Sequence, residues 1–327
     1  MNTEVCGMGK NGCGGRVLIC GATGFIGRNI AESLVDDSRY EVIGVYNRRA
    51  PFDMAGLQWV QADLTDPAQV DKIMEGVDIL IQSAATTSGS KDIVSRPHIH
   101  TTDNAVMNSF LFRSAFERKV RHVIFFSCTV MLQSSESALT ENDFDASMEI
   151  HPRYFGAGWT KVYLEKMCEF YSRIGSTKFT VIRHSNIYGP YDKFDLELSH
   201  VFGATITKVM ETSDTITIWG TGEESRDLLY VDDLVDFVRR AVERQSSTFE
   251  IYNCGSGQAT LIRDLIHKII EASGKRLAVE HDLSQPNIKT SLFLDCTKAK
   301  QELGWRPEHS LEEGIAKTIA WWKANIG

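Results

Sequence analysis

Residues 21–27 read GATGFIG, directly after the apolar run RVLIC (16–20) and just before NIAESLVDD, which has the pattern of an amphipathic helix. A strand, a glycine turn and a helix in that order give weight to a glycine pattern that is weak when it stands alone. Gly21 permits the tight turn, Gly24 lets the backbone approach a pyrophosphate, and Gly27 lets the helix pack close to the sheet. The helix start adds unpaired N–H groups and a partial positive charge for phosphate. A turn that merely needs glycine has no reason to place three at i, i+3 and i+6. The stretch is therefore read as a dinucleotide-binding loop.

Strands and helices alternate outward from this loop. YEVIGVY, VDILIQSAA, RHVIFFS and KFTVIRHSNIYGP read as further strands. Residues 67–76, 103–119 and 159–174 read as the helices between them. Short apolar strands separated by helices predict an α/β fold, a doubly wound parallel Rossmann sheet covered on both faces. After GPYD (189–192) the alternation loosens, with helices expected at 199–212, 260–273 and 310–324 and strands at TITIW and IYNCG. The division expected is a disordered leader (1–15), a Rossmann domain (16–189) and a smaller C-terminal α/β substrate lobe (190–327). The helix near 225–244 is expected to return to the first domain.

The chain has 327 residues and a net charge of −8, which argues against a nucleic-acid or anionic-membrane partner. Local cationic groups must therefore hold any anionic ligand. Seven Cys with no CxxC pair indicate buried reduced thiols and no metal site. The first 15 residues carry five Gly but no apolar signal core, and no apolar run approaches 18 residues. A cytoplasmic location is the expectation.

The end of the second strand selects the dinucleotide. An acidic residue there would bind the ribose 2′-OH of NAD. This chain has Asn47, Arg48 and Arg49, with no carboxylate until Asp53. Two Arg near that ribose suit a 2′-phosphate, which favours NADP(H). Asp63-Leu64 follows the third strand, where a side chain can reach the adenine. Ala84 and Ala85 end the fourth, where small residues let a cofactor lie over the sheet edge.

GxxGxxG, Asp-Leu, Ala-Ala, Ser127, a helical Lys161, NIYGP, WGTGEESRD, YVDDLV and LGWRPEHSLEEGI follow one another in order. With these motifs the chain resembles the extended short-chain dehydrogenase/reductase family, nucleotide-sugar epimerase/dehydratase branch, across residues 16–325. RHSNIYGPYDKF running into LSHV is similar to the GDP-L-fucose synthase subgroup. The resemblance implies hydride exchange between a nicotinamide and a sugar carbon, and a homodimer formed through helices 103–119 and 159–174. It puts Thr23, Phe25, Ile26, Lys161, His184 and Ile187 on the cofactor. It puts Asn186, His200, Lys208, Trp219, Arg226 and Lys289 on a nucleotide sugar. Ser127 would orient the reacting carbonyl oxygen.

Two departures stand out. The family's acid is a Tyr four residues before the Lys, so that the ammonium lowers the phenol's pKa from one helix face. That position is Ala157. A methyl group neither donates nor accepts a proton. Both an engineered exchange and a natural departure fit the residues. The second departure is Thr129, which stands where the subgroup pairs a Cys with a His to epimerise. A Thr hydroxyl is too weak a base for an α-proton, which leaves His200 as the acid/base for a single epimerisation. The reading is an NADP(H)-dependent 4-ketoreductase of a nucleotide sugar. Its rivals are an epimerase or dehydratase with tightly bound NAD(P), and a catalytically silent NADP-binding sensor or scaffold.

Overall fold

The computed structural model describes residues 14–86, 96–196, 199–284 and 291–327. At its centre lie β1 (Gly15–Cys20), β2 (Tyr40–Tyr46), β3 (Leu57–Gln61), β4 (Ile79–Gln82), β5 (His122–Cys128) and β6 (Lys178–His184). With β11 (Phe249–Cys254) they form one seven-stranded sheet in the order β3-β2-β1-β4-β5-β6-β11. Every neighbouring pair is parallel. The doubly wound sheet expected from the sequence is present.

Alternation along each strand sends apolar side chains to both faces, which is why these strands read as continuous apolar runs. On one face Val17, Ile19, Ile81 and Phe126 pack with α1 (Phe25–Val35) and the helix Val231–Arg244. On the other, Leu18, Leu80, Val123 and Phe125 meet Leu111 and Phe112 of the helix Thr102–Glu117 and Leu164 of Phe155–Ile174. The short helix α2 (Pro67–Ile73) is capped by Asp66, whose side chain accepts from Ala68 N and Gln69 N. In chain order the two helices on this second face are α3 (Thr102–Glu117) and α4 (Phe155–Ile174).

The run KFTVIRHSNIYGP, expected as one strand, is two. β6 ends at His184, and β7 (Asn186–Tyr188) leaves the sheet to pair with β10 (Leu228–Tyr230). The break sits at Ser185, whose N–H still donates to Cys254 while the next N–H donates to Asp227. The chain thus crosses from the sheet to the second lobe. There α5 (Val201–Glu211), α7 (Ile262–Ser273) and α9 (Leu311–Asn325) enclose Phe202, Ile206, Ile266, Ile315 and Trp322. β8 (Thr215–Trp219) pairs in parallel with β13 (Ala278–Asp282), a strand the sequence reading did not contain, and β9 (Ser225–Arg226) pairs antiparallel with β12 (Thr260–Leu261).

More of the second half returns to the main sheet than the one helix expected. α6 (Val231–Arg244) does so, and β11 adds the sheet's seventh strand. Trp305, just past α8 (Thr297–Leu303), is fully buried in the same cluster and donates from Nε1 to Asp233.

Candidate active site

The chain runs β1 to β3 in one direction and resumes with β4 on the other side of β1. That reversal opens a crevice at the carboxyl ends of β1 and β4, where such sheets bind ligands. Gly21 lies there with φ +78°, and a Cβ on it would come within 2.7 Å of Ala84 N. A Cβ on Gly27 would lie 2.3 Å from the Gly21 carbonyl oxygen. Both glycines are demanded by close approach. At Gly24 a Cβ would meet only that same oxygen, at 3.1 Å, so its outer side is open to a ligand. α1 starts there without an acidic residue in its first turn or a side-chain cap. Its first N–H groups, from Phe25, Ile26 and Gly27, have no partner inside the helix. The cradle fits a pyrophosphate.

At the end of β2, Asn47, Arg48 and Arg49 are exposed. Asn47 accepts from Gln61 Nε2 through its carbonyl. Asp63 Oδ1 accepts from Thr65 Oγ1 at 2.7 Å and Thr65 N at 2.9 Å. These bonds, with Arg48 nearby, hold its carboxyl below the usual range. Leu64 is buried in the core beside α2, 8% exposed, which leaves little side-chain surface for the cofactor role expected of it. Ala84 is half-buried and Ala85 exposed at the sheet edge. Thr23 is half-buried in the loop.

Ser127 is placed differently from expectation. It is fully buried and donates its hydroxyl to Glu165 Oε1 at 2.6 Å. Arg183 grips the same carboxylate from Nε (3.1 Å) and Nη2 (2.7 Å). Strand alternation is the reason: residue 127 shares the α4 side with Val123 and Phe125, and Glu165 stands one turn beyond Lys161. A buried carboxylate needs its donors. The Ser127 hydrogen is therefore committed to Glu165, not offered to a carbonyl in the cleft.

Lys161 donates from Nζ to the backbone carbonyl of Phe126 at 2.7 Å, over the face of Phe125. Burial lowers its pKa, against the pull of Cys128 and Glu165. Ala157 is half-buried one turn earlier, between Gly156, which abuts Thr101, and Gly158, which abuts Ile150. Thr129 and Cys128 are half-buried where β5 ends, and burial raises the Cys128 thiol despite Lys161. Burial pushes His184 down to about 4. Its Nδ1 lies 2.7 Å from the Ser185 carbonyl. A carbonyl only accepts, so Nδ1 carries the proton and Nε2 is left as an acceptor.

His200 is the exposed N-cap residue of α5. Surrounding protein lowers its pKa, and the cationic Lys193 and His100 lower it further. Burial pushes the neighbouring Asp192 up to about 7, although the Lys193 N–H donates to it at 2.7 Å. Asn186 donates from Nδ2 to the Asp227 carbonyl, and Ile187 packs against the core. Lys208 donates to the Thr217 carbonyl and lies 5.6 Å from the ring of Trp219, so these two form one patch. Arg226 is half-buried with the Tyr154 phenol in electrostatic reach. Beside it, Ser134, Thr221, Glu223, Glu224 and Ser291 line a cavity of ≈ 280 Å³. Lys289 lies outside the described residues. Among the described residues no cluster of metal-ligating side chains occurs, and no helix is long and apolar enough to cross a membrane.

A family model described as "NAD dependent epimerase/dehydratase family" matches residues 17–255, the span holding the glycine loop, Lys161 and Arg226. The chain belongs to that family. It is 28% identical over 321 residues to a GDP-L-fucose synthase of Sinorhizobium fredii, spanning 96% of this chain and 97% of the relative. The UDP-glucose 4-epimerase of Thermotoga maritima, solved with UDP-glucose, superposes with a TM-score of 0.85 at 25% identity, covering 95% of this chain and all of that one. The fold of the Thermus thermophilus UDP-glucose 4-epimerase, solved with NAD, matches with a TM-score of 0.83 at 23% identity, over 95% and 100% of the two chains.

Seen as an epimerase/dehydratase chain, the site contains groups that sequence reasoning passed over. Glu165 was legible only as one of several charges on its helix and Arg183 as a charge in a strand; the fold is what buries them against each other. Asp192 and Lys193 adjoin the NIYGP motif, and Tyr154 ends the short turn of helix (Pro152–Tyr154) just before α4. The structure brings Tyr154 toward Arg226 and Cys128.

Proposed function

We propose that the chain binds NADP(H) at the glycine loop and a nucleotide sugar across the cleft, and acts as a nucleotide-sugar 4-ketoreductase. The observation that carries this is a row of basic groups in an acidic chain. Lys161 and His200 both act on His184, Lys193 acts on His200, and Arg49 acts on Lys193. The row joins the catalytic helix to the end of β2; Lys161, Lys193 and Arg49 are its cations for a dinucleotide and a second anionic ligand, and the two histidines between them are held toward the neutral form. Exposed Arg48 and Arg49, with no carboxylate following β2 in the sequence until Asp53, support the 2′-phosphate form. The fucose synthase relative supports a nucleotide sugar as substrate.

A bound nicotinamide supplies or accepts the hydride. The chain's own residues must place the sugar and supply the matching proton. Lys161 provides the ammonium at the end of β5, and Arg226 and Lys208 provide cations for a diphosphate. No phenol stands on Lys161's helix face at position 157. Proton delivery is therefore the deficient step, and turnover is slow. His200, with its pKa lowered toward neutral imidazole, is the base for a single epimerisation beside the ketone.

A second reading, binding without turnover, is favoured by Ala157 and by the commitment of Ser127 to Glu165. Both readings require an intact substrate site. The test is a thermal-shift and calorimetry panel of GDP- and UDP-sugars in the presence of NADPH, with Arg226→Ala as control. The replacement should weaken the sugar nucleotide by about 1.5–3 kcal/mol, the range for hydrogen bonds to a charged group, and leave NADPH unchanged. Equal loss of both ligands would make Arg226 structural.

The outer face of α4 supports a homodimer. Phe155, Tyr163, Phe170 and Ile174 are 61%, 51%, 54% and 51% exposed. At 3.6 residues per turn they fall within an arc of roughly 100° on α4. Four large apolar side chains on one helix face mark an interaction surface.

A further inference from the structure

Arg28 follows Gly27 in the first turns of α1, and its guanidinium is held between two rings. Its Cζ lies 4.0 Å from the centre of Phe52 and 3.8 Å from that of Tyr191. Nε is fixed on Glu32 at 3.1 Å. The next residue, Asn29, is buried and donates from Nδ2 both to the Phe25 carbonyl (2.9 Å) and to the Pro190 carbonyl (3.0 Å). Two successive residues of α1 thus grip the loop that follows β7.

That loop is strained where it is gripped. Tyr191 has φ +68°, a region in which a bulky residue stays only when its surroundings hold it. Arg28 covers one face of its ring, and Trp321 of α9 meets the ring edge to face at 5.0 Å. Trp321 also stacks on Phe194 at 5.7 Å. The Phe194 carbonyl accepts from Thr207 of α5 at 2.6 Å, and the Lys193 carbonyl accepts from Ser199, the residue before His200. Contacts therefore run without a gap from the phosphate-binding end of α1 to the start of α5.

We propose that Arg28 is a positioning residue that acts through Tyr191, coupling occupancy of the glycine loop to the order of residues 189–196 and so to the setting of His200. The proposal rests on the reading of the loop as a dinucleotide site. An anion drawing on the first N–H groups of α1 tightens the turn that carries Arg28 and Asn29. The left-handed Tyr191 is the element with two arrangements, held by the clasp or released from it. Such coupling is reciprocal: a sugar nucleotide that orders the loop tightens the cofactor by the same factor.

Hydrogen–deuterium exchange on the full chain tests this, with and without NADPH, for the natural chain, Arg28→Ala and Arg28→Lys. In the natural chain NADPH should slow exchange in both 21–27 and 189–196. In Arg28→Ala the unliganded 189–196 segment should exchange about fivefold faster or more, the lower end of usual coupling between sites. NADPH should then protect only 21–27, and Lys, which keeps the cation, should restore part of the effect at 189–196. Unchanged exchange of unliganded 189–196 in Arg28→Ala overturns the clasp, as does NADPH protection of 189–196 that survives the replacement. In the natural chain, protection of 21–27 alone overturns the coupling only, whereas protection of neither segment overturns the dinucleotide reading and the coupling with it.

Discussion

Ser127 and Glu165, 38 residues apart, are joined by a 2.6 Å hydrogen bond in the fully buried layer between β5 and α4. Arg183 completes the group from β6, 4% exposed like its partner. The trio ties the catalytic helix to two strands directly behind Lys161. Removing one member of a buried pair strands the other's charge, at a cost of about 3–5 kcal/mol. Glu165→Ala should lower unfolding free energy by that amount in denaturant titrations. A loss under 1 kcal/mol would mean that the trio does not anchor α4.

The proposed preference for NADP(H) rests on Arg48 and Arg49. The double replacement by Ala should weaken NADPH by about 1.5–3 kcal/mol or more, since charged hydrogen bonds are lost, and leave NADH where it was. Calorimetry reads both. Equal affinity for NADPH and NADH in the natural chain would remove the 2′-phosphate assignment.

Acid should destabilise the fold early because of His122. It is 2% exposed, lies 2.7 Å from Thr180 Oγ1, and is pushed down to about 3 by burial and then by Lys178 and Arg121. An unfolded His takes its proton near 6.5. Between pH 6.5 and 3 the unfolded chain therefore binds more protons, and stability falls as pH falls. From pH 7 to 5 this group alone accounts for a loss of about 2 kcal/mol. His184 adds to the loss with the same sign. His122→Asn should flatten the dependence of denaturant midpoint on pH over that range. An unaltered slope would exclude His122 as its source.

The glycine loop and the sheet were readable because both are local: three glycines, then a helix, and strands made of unbroken apolar runs. The Lys161 helix was readable from its spacing for the same reason. The Ser127 partner was not, because it depends on which face of β5 the residue takes and on a residue 38 positions away. The burial of Leu64 was not legible because Asp63 and Leu64 read as one unit, whereas Asp63 stays partly exposed and Leu64 packs with the core. The split of KFTVIRHSNIYGP at Ser185 was hidden because β7 has the composition of a strand and only its partner, β10, differs.

Under the proposed function the scaffold is competent for hydride transfer and position 157 lacks its acid. Ala157→Tyr returns a phenol to the face of α4 that carries Lys161. The decisive measurement is the single-turnover rate of NADPH oxidation with a 4-keto sugar nucleotide, compared between the Ala157 chain and this variant. A positioned general acid contributes about 10²–10⁴-fold, and the variant should be faster by a factor in that range while binding both ligands as before. An Ala157 chain that is already fast, with a variant that is unimproved or slower, would overturn this reading and place the proton on His200, Thr129 or water.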